Sequence, residues 1–508
     1  MTTSPPDVSP SPAADRSAAA HAAVDAAADA AFEGVRDWIR QASFSDTGEG
    51  MLSSAEYTRE LLARVAPDAA VVPTAGWPVV LGTVRSRRPA APTLLVYGLY
   101  DVTPTLAHEW TLDPLAAHVV DATEIGVLPV YGQVLVGRGA NNHKGPVLSA
   151  ISAVRAMLDS VGDVPVNLIF VIEGEEEIGS PSLGSFLEQH RDLMATADGV
   201  WLPCMQQSAS GSMTLRRAFK GALWTELECR GGEWGGTLDG RHRWAGMSAV
   251  LDAPMMRLVK ALATLYDEDQ RATVDGVEEL LQRPVEVDSP EVQAIIQAMR
   301  ANPASEEAGK RNLNVRQFLN GRPQADHMAH YMLGTALNIE GITGGYTGPT
   351  FYTMLPGHAQ AKLDFRFAPG ITPDRFAELL QAHLDRRGFE MVRVTKAHGY
   401  AGAAALPAEQ DTLMAAARRT ADRAGVPIVE WPISNNCCPA ALLTGLRGST
   451  GSAVPFSIAG TGCGDRAHAP DEFCTVGSVR SLMHWTVDFL EDWSSVVVSE
   501  TKSQPRGH

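Results

Sequence analysis

Positive charge is in short supply. The chain sets 42 Lys and Arg against 59 Asp and Glu over 508 residues, a formal charge of −17. Nucleic acid and anionic membranes are held through clustered cations, so neither is expected as the main partner. Long apolar runs are missing as well: none approaches the ~20 residues needed to span a bilayer. Cysteine is sparse, with six in all, and the adjacent Cys437-Cys438 is no disulfide framework. A reducing, cytoplasmic setting is therefore expected. Residues 1–14 have neither a basic start nor an apolar core, so they do not read as a secretory signal. Their Ser/Pro content predicts a disordered tail. What remains, 45% hydrophobic and 20% charged, is the composition of a soluble globular protein.

The length exceeds one ordinary core, so two domains are expected. Residues 18–42 are Ala-rich and periodic, a first helix. Strand-like and helical stretches then alternate: a strand over 93–97, a helix over 146–160, a strand over 165–172 and a helix over 182–194. That alternation predicts an α/β domain with a mostly parallel sheet. Near residue 213 the pattern changes. Residues 215–229 and 353–367 read as longer strands with alternating apolar and polar positions, and 372–387 as an amphipathic helix. An inserted α+β domain is the reading for 213–405, with the charged, helical stretch 267–311 as a surface excursion of it. The first domain then comprises 15–212 and 406–495, ending in a helix over 476–492, and 496–508 is expected as a second tail.

Five segments carry the chemistry. The first is Tyr97-Gly-Leu-Tyr-Asp-Val-Thr-Pro104, followed by Glu109-Trp110 and Asp113-Pro114. It ends an apolar run, which puts residues 97–102 at the carboxyl end of a strand, where α/β domains collect ligands and catalytic groups. The others are Val136-Gly-Arg-Gly-Ala-Asn-Asn-His-Lys-Gly-Pro146, Glu173-Gly-Glu-Glu-Glu-Ile-Gly-Ser180, Asn338-Ile-Glu-Gly-Ile-Thr-Gly-Gly-Tyr-Thr-Gly-Pro349 and Gly464-Asp-Arg-Ala-His-Ala-Pro-Asp-Glu472.

In order and spacing these segments resemble the co-catalytic zinc family of carnosinase-type dipeptidases, aminoacylases, acetylornithine deacetylases and glutamate carboxypeptidases. The resemblance runs from roughly residue 30 to 490. It implies a zinc-peptidase-like catalytic domain with an inserted lid and dimerisation domain, a small-molecule or short-peptide substrate, and a homodimer. It also implies two zinc ions sharing a carboxylate, with a Glu as general base for the attacking water.

Laid on those motifs, the chain departs from them in an ordered way. A His ligand of the first zinc falls at Leu99, and the Asp that would orient it is Asp101. The bridging Asp falls at Asn142 and a further Asp ligand at Cys204. The base matches Glu176, and the remaining ligands match Glu177 and His468. One metal position thus keeps no family ligand, while the other keeps Glu177 and His468. Leucine cannot ligate, and a neutral amide is a poor bridge between two cations. The expectation is no metal or one zinc, with His143 and Cys204 as candidates to complete a rearranged set. Alternatively, His143 is a surface group and Cys204 a small buried hydrophobe. The glutamates would be protonated or paired with a base.

In the inserted domain Asn338 and Arg366 match positions that contact the substrate's oxyanion or carboxylate, and a guanidinium suits the latter. An inserted-domain His of the family falls at Glu233 or Trp234. The substrate-pocket stretch appears as Ser434-Asn-Asn-Cys-Cys-Pro439, placing Cys437 and Cys438 among the substrate-binding positions. Either thiol is also a nucleophile candidate with His468 as base. Three functions follow: an enzyme of altered chemistry using Glu176 and His468, a non-catalytic binding or regulatory pseudoenzyme, or a zinc dipeptidase with rearranged ligands.

Overall fold

The protein is described by a computed structural model that covers residues 12–446 and 453–503. It divides into two compact units. One comprises Met1–Leu215, Leu406–Glu430 and Leu443–His508; the other comprises Arg216–Ala405 and Trp431–Leu442.

The first unit is built on a six-stranded sheet. Its order is Ala70–Val72, Val79–Val84, Asn167–Glu173, Thr93–Leu99, Gly199–Pro203 and Phe456–Ala459. The last four strands run parallel and the first two pair antiparallel at one edge. Every residue of Thr93–Leu99 is buried, the pattern of an inner parallel strand covered on both faces. A four-stranded antiparallel sheet adds His118–Asp121, Gln133–Val136, Phe473–Thr475 and Gly464–Asp465.

The N-terminal helix Pro12–Ile39 buries Ala20, Val24, Ala28, Ala31, Val35 and Trp38, a three-and-four spacing that keeps one stripe inward. It shares its core with the helix Lys144–Val161 and the C-terminal helix Ser478–Ser503. Parts of both expected tails are helical. Residues 12–14 are helical, and 1–11 lie outside the described residues. Residues 496–503 continue the C-terminal helix, where Val496 and Val497 still pack on the core. The expected helix over 182–194 is broken into Leu183–Gln189 and Arg191–Met194.

The second unit holds an antiparallel sheet in the order Ala336–Thr343, His358–Phe367, Phe219–Arg230 and Val392–Tyr400. Helices Pro254–Ala263 and Pro373–Arg386 cover one face through Leu258, Leu262, Phe376 and Leu380, packed on Leu223, Leu363 and Phe365. Alternation along the strands turns the next residues to the opposite face. There Asn338, Asp364, Trp224 and His398 lie in cross-strand register.

The stretch 267–311 belongs to this unit and carries the helices Pro290–Arg300 and Pro303–Asn312. Residues 431–442, expected in the first domain, belong here too. Ser434–Cys437 pairs in parallel with Phe219–Arg230, Ile433 is buried beside Ala218 and Val292, and the Lys220 Nζ donates to Asn435 Oδ1 at 3.0 Å. Among the described residues no helix is long and apolar enough to cross a membrane.

Candidate active site

In the first unit the motif residues gather at the carboxyl ends of the parallel strands. Leu99 ends its strand buried and in register with Glu173. Two residues on, the buried Asp101 carboxylate accepts the backbone N–H of Glu176 at 3.3 Å and of Glu177 at 3.0 Å. Burial, then the carboxylates of Glu177 and Glu173, push its acid well above the usual range. Asp101 therefore acts as a clamp on the turn that presents the two glutamates.

The run Glu173-Gly-Glu-Glu-Glu177 is not a solvated face; its carboxylates have separate duties. Glu173 is buried, takes hydrogen bonds from the Tyr97 hydroxyl and from Ser180 Oγ, and is raised to about 7 by burial. Glu175 accepts from the N–H groups of Trp77 at 2.9 Å and Ser182 at 3.0 Å. Between them Gly174 admits the Tyr100 ring; a Cβ there would lie 2.3 Å from its hydroxyl oxygen. Glu176 and Glu177 occupy the 3-10 turn Glu176–Ile178 that follows.

Glu177, Asn142 and His468 close on one another. The Asn142 amide donates to Glu177 Oε1 at 2.7 Å and its nitrogen lies 2.8 Å from His468 Nε2. His468 Nε2 is 2.9 Å from Glu177 Oε2. The Glu177 carboxylate raises the imidazole of His468 above its ordinary value. His468 holds a left-handed backbone (φ 61°), a conformation that costs a non-glycine residue about 1 kcal/mol or more.

The loop bearing Asn142 is set by a residue that sequence reasoning did not single out. Glu472 takes the N–H groups of Asn141 and Asn142 on Oε1, at 2.9 and 2.7 Å. Its Oε2 takes Arg138 Nη1 at 2.7 Å and the N–H of Gly139 at 3.2 Å. Arg138 also lies over the Trp110 ring. Only its place at the end of the Gly464–Glu472 segment marked this carboxylate.

His143 is buried rather than a surface group, and desolvation lowers it to about 4. Lys144 is buried next to it. Its Nζ donates to the carbonyls of Trp38 and Gln41, and burial lowers it to about 7. Cys204 Sγ accepts from Gln206 Nε2 at 2.9 Å. Among the described residues no group of three or more His, Cys, Asp or Glu side chains is arranged to hold an ion.

In the second unit Arg366 forms three hydrogen bonds of 2.7–3.0 Å to Asp364 through Nε and Nη2 and lies over Trp224. Asn338 is exposed on the neighbouring strand, opposite Asp364. Trp234 donates its indole N–H to the Arg230 carbonyl at 2.7 Å. Cys437 Sγ donates to the Gly221 carbonyl at 3.4 Å, and burial pushes its thiol up. Cys438 is buried. A raised thiol is protonated near neutral pH and a weak nucleophile, which counts against Cys437 in that role.

With this geometry in place, similarity to known proteins becomes interpretable. Residues 95–492 match the model of peptidase family M20/M25/M40. The chain belongs to that family. Among curated relatives, the Beta-Ala-His dipeptidase of Rattus norvegicus is 26% identical over 338 residues, 63% of this chain and 60% of that protein. The Cys-Gly metallodipeptidase DUG1 of Saccharomyces cerevisiae is 25% identical over 61% of this chain and 60% of its own length. The match thus spans three-fifths of either relative. Solved structures share the fold over nearly the whole chain. The M20 family metallo-carboxypeptidase Sso-CP2 of Sulfolobus solfataricus superposes with a TM-score of 0.76 at 24% identity, covering 92% of this chain and 99% of its own. Human carnosine dipeptidase 1 gives 0.74 at 20% identity, covering 94% and 100%.

Proposed function

We propose that this M20-family chain is an enzyme acting on a short peptide or N-acyl amino acid, by acyl- or proton-transfer chemistry that does not run through a paired zinc centre. The observation that carries this reading is the mutual closure of Glu177, His468 and Asn142. At the bridging position Asn142 aims an N–H at Glu177, where a metal bridge needs anionic oxygen. Leu99 has no donor atom, and Cys204 stands where the motif has a carboxylate. This donor set does not fit a dinuclear zinc centre. Amide hydrolysis draws on a Lewis acid to activate water and polarise the carbonyl, so a transfer with a smaller barrier suits these groups better.

Glu176, half-buried with its backbone clamped by Asp101, is the proposed base. His468, whose charged form the Glu177 carboxylate favours, is the proposed acid and anion stabiliser. Arg366 and Asn338 are assigned to the substrate's carboxylate or oxyanion, with Cys437 and Cys438 in the neighbouring pocket segment. Dimerisation through the second unit belongs to the same reading. Its support is the edge strand Ala336–Thr343 together with the exposed Tyr346, Phe351 and Tyr352.

One specific observation favours a second reading, a single zinc on Glu177 and His468: both retained ligands present their donor atoms 2.9 Å apart. The test is turnover of a panel of dipeptides and N-acyl amino acids, with and without a chelator, alongside zinc content by elemental mass spectrometry. Product that survives chelation and is lost in Glu176→Gln supports the proposal. Activity abolished by the chelator, with zinc bound in a Glu177- and His468-dependent manner, overturns it for the second reading. Ligand binding without turnover in any condition makes the chain a binding protein.

A further inference from the structure

Away from these residues, the N-terminal and C-terminal helices each carry a His and an Asp four positions apart: His21 and Asp25 on one, His484 and Asp488 on the other. Four residues is one helical turn, so each pair shares a face. The pairs are cross-connected. His21 Nε2 lies 3.1 Å from Asp488 Oδ1, and His484 Nε2 lies 3.0 Å from Asp25 Oδ1. The two Nδ1 atoms meet at 2.7 Å.

The ring centroids are 4.9 Å apart with planes inclined by 26°. That separation is close to the nitrogen gap plus the two ring radii, so the nitrogens face head-on. Arg423 Nη1 holds Asp488 at 3.1 Å, and Arg480 Nε lies 4.0 Å from Asp25.

The proton count is decisive. A neutral imidazole has one N–H, and an ionised carboxylate can only accept. Both Nε2 atoms face carboxylates, so both protons belong there. Two Nδ1 lone pairs are then left pointing at each other within hydrogen-bond distance. Such an arrangement is relieved by a positive charge placed between the nitrogens, either one added proton or a metal ion. A histidine whose far N–H is tied to a carboxylate is also the recurrent form of a metal-bound imidazole, because the carboxylate sets the tautomer and raises the ring's basicity.

We infer that His21 and His484 form a second, two-imidazole site for a divalent transition-metal ion of the zinc, nickel or copper type, oriented by Asp488 and Asp25. Imidazole nitrogens bind zinc at about 2.0–2.1 Å, which sets two of them roughly 3.3 Å apart in a tetrahedron. The rings need to part by about half an ångström. Both histidines are partly exposed, so water completes the coordination. The ion cross-links the first and last helices of the unit and is independent of the chemistry proposed for Glu176 and His468.

Copper(II) is the probe of choice because it heads the divalent affinity order and its electron paramagnetic resonance spectrum reports nitrogen ligands. The expected result is one more equivalent bound by the full-length protein than by His21→Gln/His484→Gln. The wild-type signal should show two nitrogens that this variant lacks. Asp25→Asn/Asp488→Asn keeps both imidazoles and should bind about 10–100-fold more weakly. Zinc should raise the melting temperature of wild type more than that of the histidine variant. Equal copper stoichiometry and spectra in wild type and the folded histidine variant overturn the inference. So does a carboxamide variant that binds as tightly as wild type. Because the readout is a difference between variants, occupancy at Glu177 and His468 cancels from it.

Discussion

Replacing Glu472 with Gln tests the frame that holds Asn142. Arg138 and Glu472 are both almost fully buried, 2% and 0% exposed, and pair at 2.7 Å. Removing one partner of such a pair leaves the other charge stranded, which costs about 3–5 kcal/mol. The geometry argues for the upper half of that range. The carboxylate takes four donors, two on each oxygen. A Gln side chain has one carbonyl oxygen, so its NH2 must confront either Arg138 and Gly139 or the N–H groups of Asn141 and Asn142. A loss of about 4 kcal/mol corresponds to a melting temperature roughly 6 °C lower for a unit of this size. Calorimetry on the whole chain reads the shift. Adding Arg138→Met should restore part of it, because no buried cation is then left unpaired. A fall of less than about 2 °C, or a double variant less stable than Glu472→Gln alone, would refute the reasoning.

Glu176→Gln should leave the melting temperature unchanged and reduce turnover about 10²–10⁴-fold once a substrate is in hand; undiminished turnover would remove it as the base. The His468–Glu177 pair should show a coupling of about 0.5–1 kcal/mol in a double-mutant cycle, modest because the histidine is half exposed. The folded histidine has the raised value, so this coupling is full below the ordinary imidazole value and disappears as pH rises through the raised one. A coupling that stays constant into strongly alkaline solution would contradict the pairing. Lys144 works in the opposite sense. Folding lowers its amine to about 7, so above that pH the unfolded chain binds the extra proton and stability rises with pH until the unfolded lysine also titrates. Comparing the pH–stability slopes of wild type and Lys144→Met isolates this contribution; identical slopes above neutrality would rule it out.

Much of the fold was legible in the chain. The unbroken apolar stretch ending at Leu99 reads as an inner parallel strand because both its faces are covered. Of the strand expected over 353–367, His358–Phe367 forms one whose odd-numbered residues are buried towards the helices, while Met354–Leu355 pairs separately with Arg243–Trp244. Motif spacing placed Asp101, Glu176, Glu177 and His468 on segments whose order resembles a known family, since covalent order survives while side chains change. Helix ends were less legible: packing of Val496 and Val497 extends the last helix past the point where local composition suggested a tail.

The sequence by itself determined the alternating strand and helix pattern, the family resemblance, and which residues stand at positions 99, 142 and 204, because composition, periodicity and residue identity are local properties. Only the tertiary structure decided what the surviving groups touch. It joined Glu177 to His468 and Asn142, gave Glu472 four donors, sent Trp431–Leu442 to the second unit, and brought His21 to His484 across 463 positions. Contacts between residues that far apart are set by how helices and strands pack, and no local pattern in the chain records them.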